Sequence, residues 1–323
     1  MPERGVNSIP PARKGNSMRI IRAKTAGFCF GVARAVDMTY GLLNEGVRVA
    51  TLGPLIHNPQ CVADLERRGA VTAALPCEVP AGYEVVIRSH GVPQSVYDEL
   101  AALQVPVHDA TCPFVAKIHR IAARAGAEGK TLFVAGNRSH PEVQGIVGHT
   151  NGPVHVFSSL DELKALCIPE NTKNGIFMVA QTTFEVKKWA ECAEFLKKLY
   201  TNALVFDTIC NATETRQKEA ESLARRCDVM VVIGGRQSSN TQKLVTVAAK
   251  HTRAYTVETA AELRPEWFLG ADTVGVTAGA STPSSIIEEV LSSMSEEIRE
   301  EELSFEEMVD ASLKPVYPGK VVT

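Results

Sequence analysis

The sequence predicts an α/β fold of three lobes that are related by a pseudo-threefold axis, each with a small parallel sheet, around one central site. Two observations predict it. Short runs of Val, Ile and Leu alternate with amphipathic helical patterns, and three cysteines recur at the same place in this alternation. Runs that are apolar throughout are typical of strands buried on both faces, as in parallel sheets covered by helices.

Eight such runs are predicted to be strands. They are MRIIRAK, VRVATL, EVVIRSH, TLFVAG, GIFMVAQ, ALVFDT, VMVVIGG and TVGVTAG. Between them lie helical patterns that are long enough for the crossover connections that parallel strands need.

The repeat is defined by a cysteine that follows a strand-like run and precedes an amphipathic helix. The three cysteines are Cys29, Cys112 and Cys210. In each copy a polar loop that opens a second helix lies 28 residues after the cysteine. These loops are at His57, His140 and Ser238. One matched spacing would mean little, but three in the same order indicate a repeated structural unit.

Each copy continues to a strand that ends in a third polar turn, also predicted to open a helix. These turns are at His90, Thr182 and Ser281. The chain then returns through VPVHDATC or ALVFDTIC to the next cysteine. We therefore expect lobes at 30–111, 112–209 and 210–297, with the strand at 18–29 completing the third lobe.

Composition places the chain among globular proteins and excludes some partners. The 323 residues are 45% hydrophobic and 22% charged, with a net charge of −3. This balance offers no basic footprint for nucleic acid. With no apolar run of ~18 residues and no signal peptide, we expect a cytoplasmic protein without a membrane partner. Residues 1–17 are rich in Pro, Gly and Ser, which predicts a disordered lead-in.

The three repeat cysteines indicate a metal centre. Ligands of parallel α/β units bind beyond the carboxyl ends of the strands, where all three cysteines are expected. Thiolates that converge there suit a soft centre, which could be zinc or an iron–sulfur cluster. Three ligands leave one coordination position for a substrate. A single cysteine is more often a small buried hydrophobe, and that interpretation is preferred for Cys61, Cys77, Cys167, Cys192 and Cys227.

The six polar turns indicate an anion site, since helix N-termini offer free N–H groups and a positive dipole. Phosphate oxygens could accept hydrogen bonds from the side chains there, and an anion would favour cationic histidines. The candidates are His57, His90, His140, Thr182, Ser238, Ser239, Asn240 and Ser281. Routine helix capping is the alternative for each. No Walker loop or dinucleotide fingerprint occurs in the sequence, so a nucleotide is not indicated.

One carboxylate breaks the repeat. Glu142 lies two residues after His140, where the other copies have Pro59 and Asn240. Beside a bound anion its pKa would rise, which would make it a candidate general acid. The alternative is a first-turn Glu that complements the helix dipole.

The chain resembles a known enzyme family in a set of ordered motifs. They are GFCFGV, HNP, SHGV, DATCP, HPEVQG, AQTT, IC-x-AT-x-x-RQ, SSN and TAGAS, spread over about residues 18–297. Together they resemble the 4-hydroxy-3-methylbut-2-enyl diphosphate reductases, which complete the methylerythritol phosphate route to isoprenoids.

The resemblance implies a 4Fe–4S cluster on Cys29, Cys112 and Cys210, and reductive dehydroxylation of the allylic diphosphate to isopentenyl and dimethylallyl diphosphate. It implies that Thr182 positions the substrate hydroxyl, that Glu142 supplies protons through it, and that a ferredoxin- or flavodoxin-type protein donates electrons. The diphosphate would lie among His57, His90, His140, Ser238, Ser239, Asn240 and Ser281.

Two other functions remain open on the sequence. A quinolinate synthase would also hold a three-cysteine 4Fe–4S cluster among three related lobes, but around a dicarboxylate. A zinc-stabilised binding module would have no turnover at all.

The end of the chain is a separate expectation. The acidic segment 298–323 ends in the strand-like GKVVT. It resembles the lead-in to an RNA-binding repeat of the OB-barrel type, which in some bacteria follows this reductase. We therefore expect a truncated chain, and a frayed tail is the alternative.

Overall fold

The computed structural model describes residues 18–167 and 173–295, within which twelve strands form three four-stranded parallel sheets. This architecture confirms the predicted three-lobed α/β fold. The strands are β1 Arg19–Arg22, β2 Val49–Leu52, β3 Val71–Ala73, β4 Glu84–Ile87, β5 Val107–Asp109, β6 Thr131–Ala135, β7 Val154–Phe157, β8 Ile176–Ala180, β9 Ala203–Val205, β10 Val229–Ile233, β11 Arg253–Val257 and β12 Thr273–Ala278.

The three sheets have equivalent strand orders. They run β3-β2-β4-β5, β7-β6-β8-β9 and β11-β10-β12-β1, and every neighbouring pair is parallel. The first strand of the chain, β1, pairs with β12 from Arg19↔Thr273 to Arg22↔Val276, at the edge that β5 and β9 occupy in the other sheets. The lobe limits drawn from the sequence stay a prediction.

All eight predicted runs contain a strand, and β5 lies in the return segment VPVHDATC. Three further strands, β3, β7 and β11, fall outside the predicted runs, and each lies at one of the two edges of its sheet. Most of their residues are only partly buried. An edge strand with mixed polarity lacks the continuous apolar signal of a central strand, so the pattern did not reveal it.

Helices connect the strands and cover the sheets. They are α1 Phe30–Asn44, α2 Pro59–Arg67, α3 Gln94–Ala102, α4 Pro113–Ala127, α5 Pro141–Val147, α6 Leu160–Leu166, α7 Val186–Leu199, α8 Asn211–Ala224, α9 Ser239–Ala248, and α10, which begins at residue 284 and includes residue 295, the last one described. Short 3₁₀ turns occur at Pro76–Glu78, Ala260–Glu262 and Pro265–Trp267.

The hydrophobic core lies on both faces of each sheet. In β6, Phe133 and Ala135 pack into one apolar cluster, whereas Leu132 and Val134 pack into another on the opposite face. Successive side chains of a strand point to opposite faces. Helices therefore cover both sides, which leaves the strand ends as the places where polar groups can gather.

Two predictions fall outside the described residues, namely the disordered lead-in 1–17 and the tail 298–323. Within the described part of the chain, no helix has both the length and the apolar character needed to cross a membrane.

Candidate active site

All twelve residues singled out from the sequence line one cavity, whose empty volume is about 700 Å³. They come from all three lobes, and each lies in the segment that follows the carboxyl end of a strand. They are Cys29, His57, His90, Cys112, His140, Glu142, Thr182, Cys210, Ser238, Ser239, Asn240 and Ser281. The structure thus brings together every candidate, as expected for strand ends that converge.

The three cysteines occupy equivalent positions, since each is the N-cap residue of its helix: Cys29 of α1, Cys112 of α4 and Cys210 of α8. The backbone N–H of each donates to a carbonyl in the turn after a neighbouring strand, at 3.1, 3.0 and 3.1 Å respectively. The acceptors are Ala280, Ser89 and Thr182. The backbone of each cysteine is thereby hydrogen-bonded to the neighbouring polar turn, which fixes the position of its side chain.

The sulfurs are close enough to affect one another. Burial raises the pKa of the Cys112 thiol, and the charges of Cys29 and Cys210 raise it further. The Cys210 Sγ accepts the N–H of Thr213 at 3.4 Å. A Cβ on Gly31 would lie 2.7 Å from the Cys112 Sγ, so the start of α1 leaves only enough room for that sulfur. Burial also raises the pKa of Cys210. A soft cation bound by the three sulfurs would favour the thiolate form and so oppose the effect of burial on these two thiols.

Three imidazoles line the same cavity as the cysteines. They belong to His57, His90 and His140, which we call the histidine triad. Their ring centroids lie 4.8 to 5.5 Å apart, and their ligand atoms all lie within 4.8 Å of one another. His57 Nε2 and His90 Nδ1 are buried without a partner. Burial lowers the pKa of all three, that of His140 to about 4. Unless an anion binds, the triad is therefore neutral near pH ~7.

The third lobe contributes hydroxyl and amide groups. Ser238 is the N-cap residue of α9, and its Oγ accepts the Thr241 N–H at 3.3 Å. Ser281 Oγ donates to the His57 carbonyl at 3.3 Å. The Asn240 amide nitrogen is buried without a partner. Ser238 therefore caps a helix and also lines the cavity.

Glu142 and Thr182 form a buried pair, with exposures of 2% and 7%. The Thr182 N–H donates to Glu142 Oε1 at 2.6 Å, and its hydroxyl donates to Oε2 at 2.8 Å. Burial raises the pKa of the carboxyl to about 7, although both hydrogen bonds oppose the shift. The predicted rise in pKa thus has a different cause, since desolvation produces it without a neighbouring anion.

The third polar turn of each copy leads into a helix, as predicted. The N-cap residues of α3 and α7 are Pro93 and Glu185, however, so His90 and Thr182 lie three residues before the caps. Ser281 likewise precedes the start of α10 at residue 284. Side chains of these turns reach the cavity one turn before each helix begins, so their helix N-termini do not start at the site.

Two arginines at the site were missed by the sequence analysis. Arg216 lines the cavity at 5% exposure and donates to the carbonyls of Gly27 and Ala278 at 2.7 and 3.2 Å. The charges of Cys29 and Cys210 act on its guanidinium, which places a cation beside both sulfurs. Arg88 lies near the histidine triad and lowers the pKa of all three imidazoles. Arg216 occurs inside the motif IC-x-AT-x-x-RQ and Arg88 inside the strand run EVVIRSH, and these were the only available signals.

The other five cysteines lie away from this cavity. Cys61, Cys192 and Cys227 are buried in separate apolar clusters, Cys77 is exposed and Cys167 is partly buried. None of them lines the cavity. This placement agrees with the expectation of small buried hydrophobes for Cys61, Cys192 and Cys227, whereas the exposed Cys77 departs from it.

Fold and site together define an α/β enzyme with a central cavity where three lobes meet. The chain belongs to the LytB protein family, whose family model matches residues 20–295. The 4-hydroxy-3-methylbut-2-enyl diphosphate reductase of Geobacter sulfurreducens is 44% identical over 287 residues, which cover 86% of this chain and 98% of the relative. That of Caldanaerobacter subterraneus is 40% identical and covers 85% and 96%.

Solved structures agree. The E-1-hydroxy-2-methyl-but-2-enyl-4-diphosphate reductase of Plasmodium falciparum matches with a TM-score of 0.80 at 25% identity, over 85% of this chain and 87% of that one. A structure of (E)-4-hydroxy-3-methyl-but-2-enyl diphosphate reductase, the terminal enzyme of the non-mevalonate pathway, matches with a TM-score of 0.62 at 40% identity, over 86% and 99%. The resemblance drawn from the motifs is confirmed, and the chain is an oxidoreductase of this family rather than a quinolinate synthase or a binding module.

Proposed function

We propose that the chain removes the allylic hydroxyl of (E)-4-hydroxy-3-methylbut-2-enyl diphosphate reductively and yields isopentenyl and dimethylallyl diphosphate. The observation that carries this proposal is one cavity with three cysteines, the histidine triad and the buried Glu142–Thr182 pair on its wall. A reaction that joins electron transfer, an anionic substrate and a proton source requires all three groups in one place.

The metal group that fits the cysteines is a 4Fe–4S cluster on Cys29, Cys112 and Cys210. Support comes from the convergence of the three cysteines on one cavity and from the N–H of Thr213 directed at the Cys210 sulfur, a contact that tunes such clusters. With three cysteine ligands, a fourth position would remain for the substrate. Bound there, the cluster would supply a Lewis-acidic iron and a path for electrons.

The diphosphate would lie against the histidine triad and the polar groups of the third lobe. Ser238, Ser239, Asn240 and Ser281 provide neutral donors, and Arg88 provides a permanent positive charge behind the triad. An anion would raise the pKa of the imidazoles and charge them. Binding would therefore bring protons into the site together with the substrate.

Once protonated on Oε2, Glu142 would donate to the Thr182 hydroxyl, in the reverse direction of the present hydrogen bond, and Thr182 would pass its own proton to the substrate hydroxyl. A carboxyl whose pKa is about 7 still holds a proton in a large fraction of molecules near neutral pH. In the balanced reaction the allylic C–O bond breaks, one proton converts the hydroxyl to water, and two electrons with a second proton form the new C–H bond. Protonation at either end of the allyl unit gives the two products.

The electrons require an external donor, for which we propose a small one-electron carrier of the ferredoxin or flavodoxin type. We also propose a cytoplasmic location, where reduced thiols and such carriers coexist.

The test is anaerobic. Purified enzyme should be brown with absorbance near ~400 nm and roughly four irons per chain, and the reduced enzyme should convert the allylic diphosphate to both products. Cys112→Ser should abolish colour and turnover, whereas Cys192→Ser, in the apolar core away from the cavity, should retain both. A colourless zinc protein, or full turnover by Cys112→Ser, would contradict the proposal.

A further inference from the structure

His119 lies buried where the first lobe meets the second, behind the histidine triad. It is on α4 and is 6% exposed, and its Nε2 has no hydrogen-bond partner. It does not line the cavity. Its ring is nevertheless next to two segments that carry site residues, namely the turn after β4 and helix α5.

In both segments, the residue that lies against the His119 ring is a glycine. A Cβ on Gly145, in α5, would lie 3.1 Å from His119 Nε2 and 3.6 Å from the His90 carbonyl oxygen. A Cβ on Gly91, the residue after His90, would overlap the His119 Cε1 atom. The imidazole therefore packs against bare backbone on both sides, and any side chain at either glycine would displace it.

The ring is held from behind by His149, which follows the C-terminal end of α5. The two imidazoles are stacked, with centroids 3.9 Å apart and planes 16° from parallel. His149 Nδ1 lies 2.8 Å from the Gly145 carbonyl, and because a carbonyl only accepts, this nitrogen donates. Burial, and secondly the charge of His149, lower the pKa of His119 to about 3. The His119 imidazole is therefore neutral near pH ~7.

The turn and the helix touch elsewhere along the same interface. The Gln94 N–H donates to the Gly148 carbonyl at 3.2 Å, and a Cβ on Gly148 would overlap Pro93. This contact and the His119 stack together connect the His90 turn to α5, the helix that His140 caps. These segments carry His90 and His140, whose ring centroids lie 5.4 Å apart.

We propose that His119 is a positioning residue that fixes the separation of His90 and His140 and thereby the fit of the diphosphate. It acts through Gly91 and Gly145, whose bare backbones accept the ring. This role rests on the proposed function, because it assigns diphosphate binding to the triad.

Gly145 offers the cleaner test. Gly91 has a φ of +70°, so a side chain there would add backbone strain, whereas Gly145 is helical and alanine suits a helix better than glycine. In anaerobic holoenzyme we expect G145A to raise the Kd for inorganic diphosphate about tenfold, because the new methyl pushes against the ring. KM should rise with little change in kcat, and the cluster absorbance should not change.

A second substitution tests whether His119 is the cause. H119N removes the two ring atoms that the methyl groups would meet, so it should weaken binding on its own yet improve G145A at least about threefold. If G145A does not yield holoenzyme, its recovery by H119N is the same suppression and supports the proposal. G136A is the matched control, since its Cβ would lie 2.7 Å from Val143 on α5, with no His119 atom among its nearest neighbours.

The outcomes separate the two proposals. Wild-type enzyme that does not bind diphosphate would overturn the proposed function of the triad. Wild-type binding with an unchanged Kd in G145A, no improvement by H119N, or an equal improvement of G136A would overturn the positioning role alone.

Discussion

Glu142→Gln is the most informative change at this site because it removes a titrating proton while it preserves the local hydrogen bonds. The amide oxygen can still accept the Thr182 N–H, and the amide NH₂ can donate to the threonine hydroxyl in place of the present O–H donor. We therefore expect folding, cluster content and substrate affinity to be retained, whereas turnover should fall about 10²- to 10⁴-fold, the usual contribution of a general acid.

The size of the electrostatic effect follows from burial. Desolvation raises the pKa of the carboxyl from 4.5 to about 7. At ~1.4 kcal/mol per pKa unit, burial disfavours the ionised form by about 3 kcal/mol. Because the folded-state pKa is raised, the contribution of this group to stability is greatest below the unfolded pKa of 4.5, where the carboxyl is protonated in both states. This contribution to the free energy of unfolding is lost as pH rises through about 7. The amide of E142Q does not titrate, so the variant should gain stability relative to the wild type over that range.

The assay is the pH dependence of kcat/KM under anaerobic conditions, which reports ionisations of the free enzyme and the free substrate. Wild-type kcat/KM should fall about tenfold per pH unit once the carboxyl ionises. The substrate phosphate also titrates, but its contribution stays in E142Q, so the difference between the two profiles isolates Glu142. Turnover of E142Q within about tenfold of the wild type, or identical alkaline limbs, would refute the acid role.

Three further predictions concern the two ends of the cavity. Gly31→Ala places a methyl against the Cys112 Sγ and should lower iron content, whereas Gly41→Ala on the same helix, with nothing within 4 Å, should not; equal iron content in both would contradict the tight fit. Arg216→Met removes a cation beside two sulfurs and should shift the cluster potential to more negative values in an EPR-monitored redox titration, with Arg216→Lys restoring it in part; an unchanged potential would exclude this influence. Because burial lowers the pKa of the histidine triad, diphosphate should bind with proton uptake and more tightly as pH falls. Calorimetry in buffers of different ionisation enthalpy measures the proton uptake. A binding enthalpy that does not depend on the buffer would contradict the prediction.

The sequence was sufficient for the features that repeat. A spacing of 28 residues from cysteine to polar loop in each copy predicts equivalent places in equivalent units. The strand orders of the three sheets agree with this expectation. Central strands were found because burial on both faces leaves an apolar signature. The edge strand β11 was missed because polar residues in RAYTV interrupt that signature, whereas the equally exposed edge strands β1 and β9 keep a short apolar run.

Long-range contacts account for what the sequence did not reveal. Arg216 bonds to Gly27, 189 residues away, so its motif IC-x-AT-x-x-RQ could not reveal what its side chain contacts. His119 occupies an ordinary buried position of an amphipathic helix, and its contact with Gly91 and Gly145 exists only once two lobes have met. The turns at His90 and Thr182 lead into helices as predicted, but the sequence did not reveal that the caps are Pro93 and Glu185, because a polar side chain that reaches the cavity need not be the one that caps the helix.

The way in which the repeat departs from symmetry explains how a threefold frame can serve an asymmetric substrate. The cysteines keep the symmetry, with one N-cap position and one backbone hydrogen bond per lobe. The other two sets of turns do not. Imidazoles lie in the first and second lobes, hydroxyl and amide groups in the third, and the buried carboxyl–hydroxyl pair only in the second. Under the proposed function, a substrate with an anionic end and a hydroxyl end would therefore satisfy both ends in only one orientation, with its hydroxyl towards Thr182.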